Sequence, residues 1–215
     1  MRIADAERQN QVISKIPHQK VADCNHLIGS KPDFEHAKYI QDLLIVNENI
    51  CHDVESVLAE GKFPIIISGD HSNAIGSIAG VKNHFHDKKV GVIWIDAHAD
   101  LHTPFTTPSG NLHGMPVTAT LGLDNLERKR NDVYENLIPY WDKLKRIDCD
   151  VIYVSFDVDS LDTTISTGTG TPVYNGLQTK DAKDLLSAFI HLPQTKALEI
   201  TEINPLLDNN NKMAK

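Results

Sequence analysis

A chain of 215 residues has the length of one domain and room for a sizeable core. Its 21 Lys and Arg against 29 Asp and Glu leave a net charge of −8 with no basic run, which speaks against a nucleic-acid surface. Cys24, Cys51 and Cys149 are scattered without CxxC spacing, a pattern of reducing compartments rather than of zinc knuckles. The opening MRIADAERQNQ lacks the apolar stretch of a secretory signal. No apolar run nears the roughly 20 residues that span a bilayer, so a cytoplasmic protein with no membrane partner is expected.

In chain order, the first predicted element is a helix over 35–60, where apolar side chains recur at three- and four-residue spacings before a stop at Gly61. Four apolar, β-branched runs follow as predicted strands: FPIIISGDH at 63–71, VGVIWIDAHAD at 90–100, DVIYVSFDVD at 150–159 and ALEITEIN at 197–204. Continuous apolar runs of this length read as strands buried on both faces of a parallel sheet. A second helix is predicted over 179–191, with Thr179 as its N-cap. Strands alternating with helices give an α/β domain. No repeat interrupts it, and DNNNKMAK at 208–215 is the one weakly patterned stretch.

Ligands of such sheets bind beyond the carboxyl ends of the strands, and all four runs deliver carboxylates or His there. Asp96, His98 and Asp100 stand at i, i+2 and i+4, so on an extended chain they share one face. Asp157 and Asp159 repeat the device, and His71 ends another run. Carboxylates crowded at one sheet edge repel one another, and a cation relieves this. Four aspartates with two neutral histidines balance two divalent cations, and oxygen-rich ligation with some imidazole suits Mn²⁺. Two such cations about 3.5–4 Å apart make a strong nucleophile of water at neutral pH. Each motif alone has a bland reading, as a strand-end turn or a satisfied polar group. Three together on buried strands point to metal. His18, His26, His36, His52, His84, His86 and His191 lack that context and read as incidental polar residues.

Gly-Asp-His-Ser (69–72), Asp-Ala-His-Ala-Asp (96–100), Ser-Phe-Asp-Val-Asp-Ser-Leu-Asp (155–162) and Glu-Ile-Asn-Pro (202–205) together resemble the ureohydrolase family of arginases and agmatinases. The resemblance implies a three-layer α/β/α fold around a mostly parallel sheet. It also implies two Mn²⁺ held by His71, Asp96, His98, Asp100, Asp157 and Asp159. The segment TPFTTPSGNLHGMP at 103–116 is similar to the arginase substrate loop in particular, which would set Ser109 and Asn111 on the α-carboxylate of L-arginine. His102 stands where many arginases have Asn, and can still donate a hydrogen bond. His113 resembles the loop histidine that moves protons, Glu202 the carboxylate that holds the guanidinium, and Thr171 a residue near that pocket. Thr167 replaces a common proline.

The implied reaction is L-arginine plus water giving L-ornithine and urea, with Asp100, His113 and Glu202 in catalytic roles. A sister hydrolase acting on agmatine or formimidoylglutamate, a deacetylase-like amidohydrolase and a non-catalytic metal-binding scaffold are the alternatives. The resemblance further implies a homo-oligomer, a trimer or hexamer. Residues 1–215 read as one catalytic domain with parts omitted relative to the family. The opening strand with its Gly-rich loop, a segment between 113 and 157, and a closing helix are absent. The middle segment normally supplies the Asp that binds the substrate α-amino group. A natural chain longer than 215 residues is therefore expected.

Overall fold

The computed structural model describes residues 17–22, 24, 26, 29–123 and 148–208. The stretches behind the expectation of omitted segments (residues 1–16, 124–147 and 209–215) lie outside them. Helix α1 spans Ile40–Ala59 and buries a single stripe, Asn47, Ile50, Val54 and Leu58, at the spacing of one helix face. It ends at Glu60, and Gly61 follows at φ 71, a left-handed conformation that glycine adopts without steric cost. Strand β1 is short, Ile65–Ile67. Helix α2, Ala74–His84, is one the sequence reading did not anticipate. Strand β2 (Val90–Ile95), the short helix α3 (Pro116–Thr120), β3 (Val151–Asp157), helix α4 (Thr179–Ile190) and β4 (Thr195–Thr201) complete the described elements.

The N-cap of α4 is Gln178, in extended conformation, and Thr179 is already helical. The predicted cap is thus corrected by one residue, and no side-chain cap hydrogen bond forms there.

The four strands make one sheet in the order β1-β4-β3-β2, and every pairing is parallel. Successive residues of β3 face opposite sides, as the pleat requires. Val151 and Tyr153 pack with Ala197 against Ile50, Val54 and Leu58 of α1 and Ala74, Ile78 and Val81 of α2. Ile152 and Val154 pack with Leu198 against Leu186, Phe189 and Ile190 of α4. Two helices on one face and one on the other make the three-layer α/β/α architecture expected. All of β3 is buried, which is why its sequence is apolar without alternation. Among the described residues, no helix is long and apolar enough to cross a membrane.

The strands are shorter than the runs that announced them. β2 stops at Ile95 and β3 at Asp157, so the acidic motifs lie in the bends just past them.

Candidate active site

His71 opens a 3-10 turn, His71–Asn73, directly after β1. Asp70 caps that turn by accepting the Ser72 amide at 3.0 Å. The His71 ring stacks on Trp94 of β2, centroids 4.0 Å apart and planes 8° from parallel. Its Nδ1 then lies 3.0 Å from Asp96 Oδ2, 3.1 Å from Asp100 Oδ2 and 3.0 Å from Asp157 Oδ2. A second group forms beside it. His98 Nδ1 is 3.0 Å from Asp159 Oδ2 and 3.4 Å from Asp96 Oδ1. Asp96 belongs to both groups.

The extended chain expected over 96–100 is corrected, although the residues named there do converge. Residues 96–100 form a bend rather than a strand, and Asp100 takes φ 49. The Asp96 carboxylate holds this bend by accepting the His98 amide at 2.6 Å and the Trp94 indole N–H at 3.1 Å. Likewise Asp159 sits in a 3-10 turn, Val158–Ser160, and its amide donates to Asp157 Oδ1 at 2.7 Å. Carboxylates that a regular strand would spread along one face are gathered more tightly by these turns.

Above the cluster opens a cavity of about 480 Å³. Every site residue predicted from the sequence lines it except Asp96, whose carboxylate is buried beneath. His98 stands at the cavity mouth with 42% of its side chain exposed, against 1% for His71. The 103–116 loop forms one wall. Gly110 lies there at φ 77, and a side chain on it would strike the Glu35 backbone. Thr107 Oγ1 accepts the Gly110 amide at 2.9 Å, and Ser109 Oγ accepts the Asn111 amide at 3.2 Å. Ser109 and Asn111 thus sit on a built turn facing the cavity. His102 Nδ1 lies 3.3 Å from Thr106 Oγ1, and its backbone amide donates to Gly114. His113 lies in a 3-10 turn, Leu112–Gly114. Glu202 follows β4 at φ 60 and accepts the His71 amide at 2.8 Å. Thr171 donates to Asp159 Oδ2 at 2.9 Å.

Comparison with known proteins matches the chain to one family. The Arginase family profile aligns with residues 2–138 and 124–215. The arginase of Bacillus subtilis (strain 168) is 32% identical over 84% of this chain and 75% of its own length. The arginase of Brevibacillus brevis is 31% identical over 97% of this chain and 80% of its own. The chain belongs to the arginase family. The 1.7 Å crystal structure of the B. subtilis arginase superposes with a TM-score of 0.78, at 29% identity, covering 98% of this chain and 87% of that one. The chain is accordingly a hydrolase acting on guanidino C–N bonds, with an arginase fold.

The electrostatics of this arginase-family site show what the donors want. Burial alone depresses the His71 imidazole, but the Asp100, Asp157 and Asp96 carboxylates overcome it and push its pKa up to about 12. Burial and the charges of Asp96 and Asp159 lift Asp157 to about 7. Burial also raises Asp100 and Asp159, with Asp96 adding to both. Asp96 moves the other way: burial opposes, but His71 and the His98 amide hold its carboxylate low. Burial, then Asp70 and Asp157, raise Glu202 to about 8. Such crowding is costly for the protein alone. The buried His71 Nδ1 is surrounded by three carboxylate oxygens and aligned as a hydrogen bond with none. A buried ring nitrogen and converging oxygens of one sign are the donor set of a divalent cation, so the residues present fit the family's metal-dependent chemistry.

Some residues that shape the site escaped the sequence reading. Trp94 and Ser155 lie within strand runs and read there as core, and so does Glu199. Asp70 was visible in Gly-Asp-His-Ser, but nothing in its spacing distinguishes a turn cap from a ligand. Thr107 offered only a Ser/Thr-rich loop as a signal.

Proposed function

We propose that the chain hydrolyses L-arginine to L-ornithine and urea, using two Mn²⁺ held by His71, Asp96, His98, Asp100, Asp157 and Asp159. The observation that carries this reading is the pairing of two ligand groups through Asp96 at the floor of a cavity whose wall presents Ser109 and Asn111. When bound, the cations supply charge stabilisation and lower the pKa of water in the site.

The chain's own residues do the rest. Glu202, which lines the cavity, accepts hydrogen bonds from the guanidinium and fixes its carbon over the metal floor. The Ser109 hydroxyl and the Asn111 amide donate to the α-carboxylate, assisted by His102. Thr171 keeps Asp159 oriented. Asp100 takes a proton from the attacking water and passes it to the departing nitrogen as the C–N bond breaks, and His113 exchanges protons between the cavity and solvent. The substrate is a small guanidino compound, and the working form is a homo-oligomer.

Substrate comparison tests the reading. A site built to hydrogen-bond a carboxylate rejects a substrate lacking it by up to roughly 10⁴-fold. Urea release from L-arginine should therefore exceed release from agmatine by orders of magnitude in kcat/KM. Equal turnover would move the assignment to a sister hydrolase. No turnover of either by metal-loaded protein would favour a scaffold.

A further inference from the structure

Glu199 is a carboxylate in the middle of β4 with no exposed surface. Its neighbours are hydroxyls. Oε2 accepts from Tyr153 at 2.8 Å and from Ser155 at 3.2 Å, and Ser68 lies 3.5 Å from Oε1. Burying a carboxylate in a sheet is costly, and the three-layer core would pack as well around an apolar side chain. Its place in the sheet suggests what it does. β4 and β3 pair Glu199 with Ser155, and β3 and β2 pair Ser155 with Trp94, so the three side chains form one row on the face that carries His71. Trp94 stacks on the His71 ring, and Ser155 Oγ lies 2.8 Å from His71 Nε2.

A serine hydroxyl has one proton to donate. Because Ser155 donates it to Glu199, it can only accept from His71, and Nε2 must carry the N–H. The neutral imidazole then has its lone pair on Nδ1, the atom facing Asp96, Asp100 and Asp157. Trp94 sets the plane of the ring; Ser155 sets its rotation within that plane and its tautomer. Ligating histidines in general donate their second N–H to such a partner, which fixes orientation and raises basicity. We infer that Glu199, acting through Ser155, is a positioning residue that holds His71 in the tautomer and orientation needed to ligate one cation of the proposed pair. The inference rests on the metal reading above. It adds that only one of the two binding steps depends on this row, because the group of Asp96, His98 and Asp159 does not include His71.

Calorimetric titration of Mn²⁺ into the chelator-treated full chain tests it, with wild type, Ser155→Ala, Glu199→Gln and Tyr153→Phe compared. Ser155→Ala removes the link without adding bulk, and should weaken one of the two binding steps by about 10–100-fold while sparing the other. Glu199→Gln keeps an acceptor but not its charge, and should fall between Ser155→Ala and wild type. Tyr153→Phe removes another hydroxyl from the same carboxylate. It should lower the melting temperature yet leave both Mn²⁺ affinities near wild type, which separates positioning from general loss of packing. Unchanged binding by Ser155→Ala would overturn the inference, as would equal weakening in Tyr153→Phe or weakening of both steps together. Wild-type protein that binds fewer than two cations would instead remove the metal reading on which it stands.

Discussion

Asp100 and Glu202 share a backbone conformation that few residues other than glycine adopt, with φ 49 and φ 60. A left-handed non-glycine residue costs roughly 1–2 kcal/mol, and strain of this kind tends to persist where function needs it. For Glu202 the cost can be read directly. Glu202→Ala and Glu202→Gly both remove the carboxylate, but only glycine relieves the backbone. The glycine variant should be more stable than the alanine variant by about 1 kcal/mol in urea denaturation, the sense found where glycine replaces a strained residue. Both should lose urea-releasing activity. Equal stabilities would mean that the conformation carries no strain. His113 poses a different question, since it lines the cavity without joining either ligand group. His113→Ala should lower kcat by roughly 10²- to 10⁴-fold, the usual worth of a proton-transfer group, with Mn²⁺ content unchanged and partial recovery on adding imidazole. Loss of metal in that variant would make the residue structural.

At the scale of elements, the contact of α1 with α2 positions the His71 turn that immediately precedes α2. Gly76 and Gly80 let the helices approach closely. A side chain at Gly80 would come within 2.6 Å of the Cys51 carbonyl oxygen, and one at Gly76 would collide with the Asn47 backbone. Asn47 Oδ1 also accepts the Gly76 amide at 2.6 Å. Gly76→Ala should therefore destabilise the chain by about 1–3 kcal/mol, the range for overpacking a tight interior, seen as a lower denaturation midpoint at constant slope. An unchanged midpoint would show that the helices can separate without cost. These same glycines explain why α2 was not legible in the sequence: Gly and Ser break the apolar periodicity that made α1 plain. The strands were legible because residues buried on both faces must be apolar. Their ends were not, because the turns at 96–100 and 158–160 depend on carboxylates accepting nearby amides, which apolar patterning does not encode.

At the scale of the whole molecule, a parallel sheet places the carboxyl ends of all four strands on one edge, and the site lies there as the sequence led one to expect. The residues proposed as ligands could be picked out of the sequence because chemistry restricts metal donors to a few residue types. The strand order β1-β4-β3-β2 was not, since four similar apolar runs do not say which neighbours which. The row of Trp94, Ser155 and Glu199 followed from that order and could not precede it. The proposed two-cation site rests on the two candidate ligand groups that share Asp96 at these strand ends. Metal analysis of the full chain, dialysed into Mn²⁺ buffer and freed of excess, tests it most directly. Two Mn²⁺ per chain is the predicted result, and one or none, with all six ligand residues intact, would contradict it.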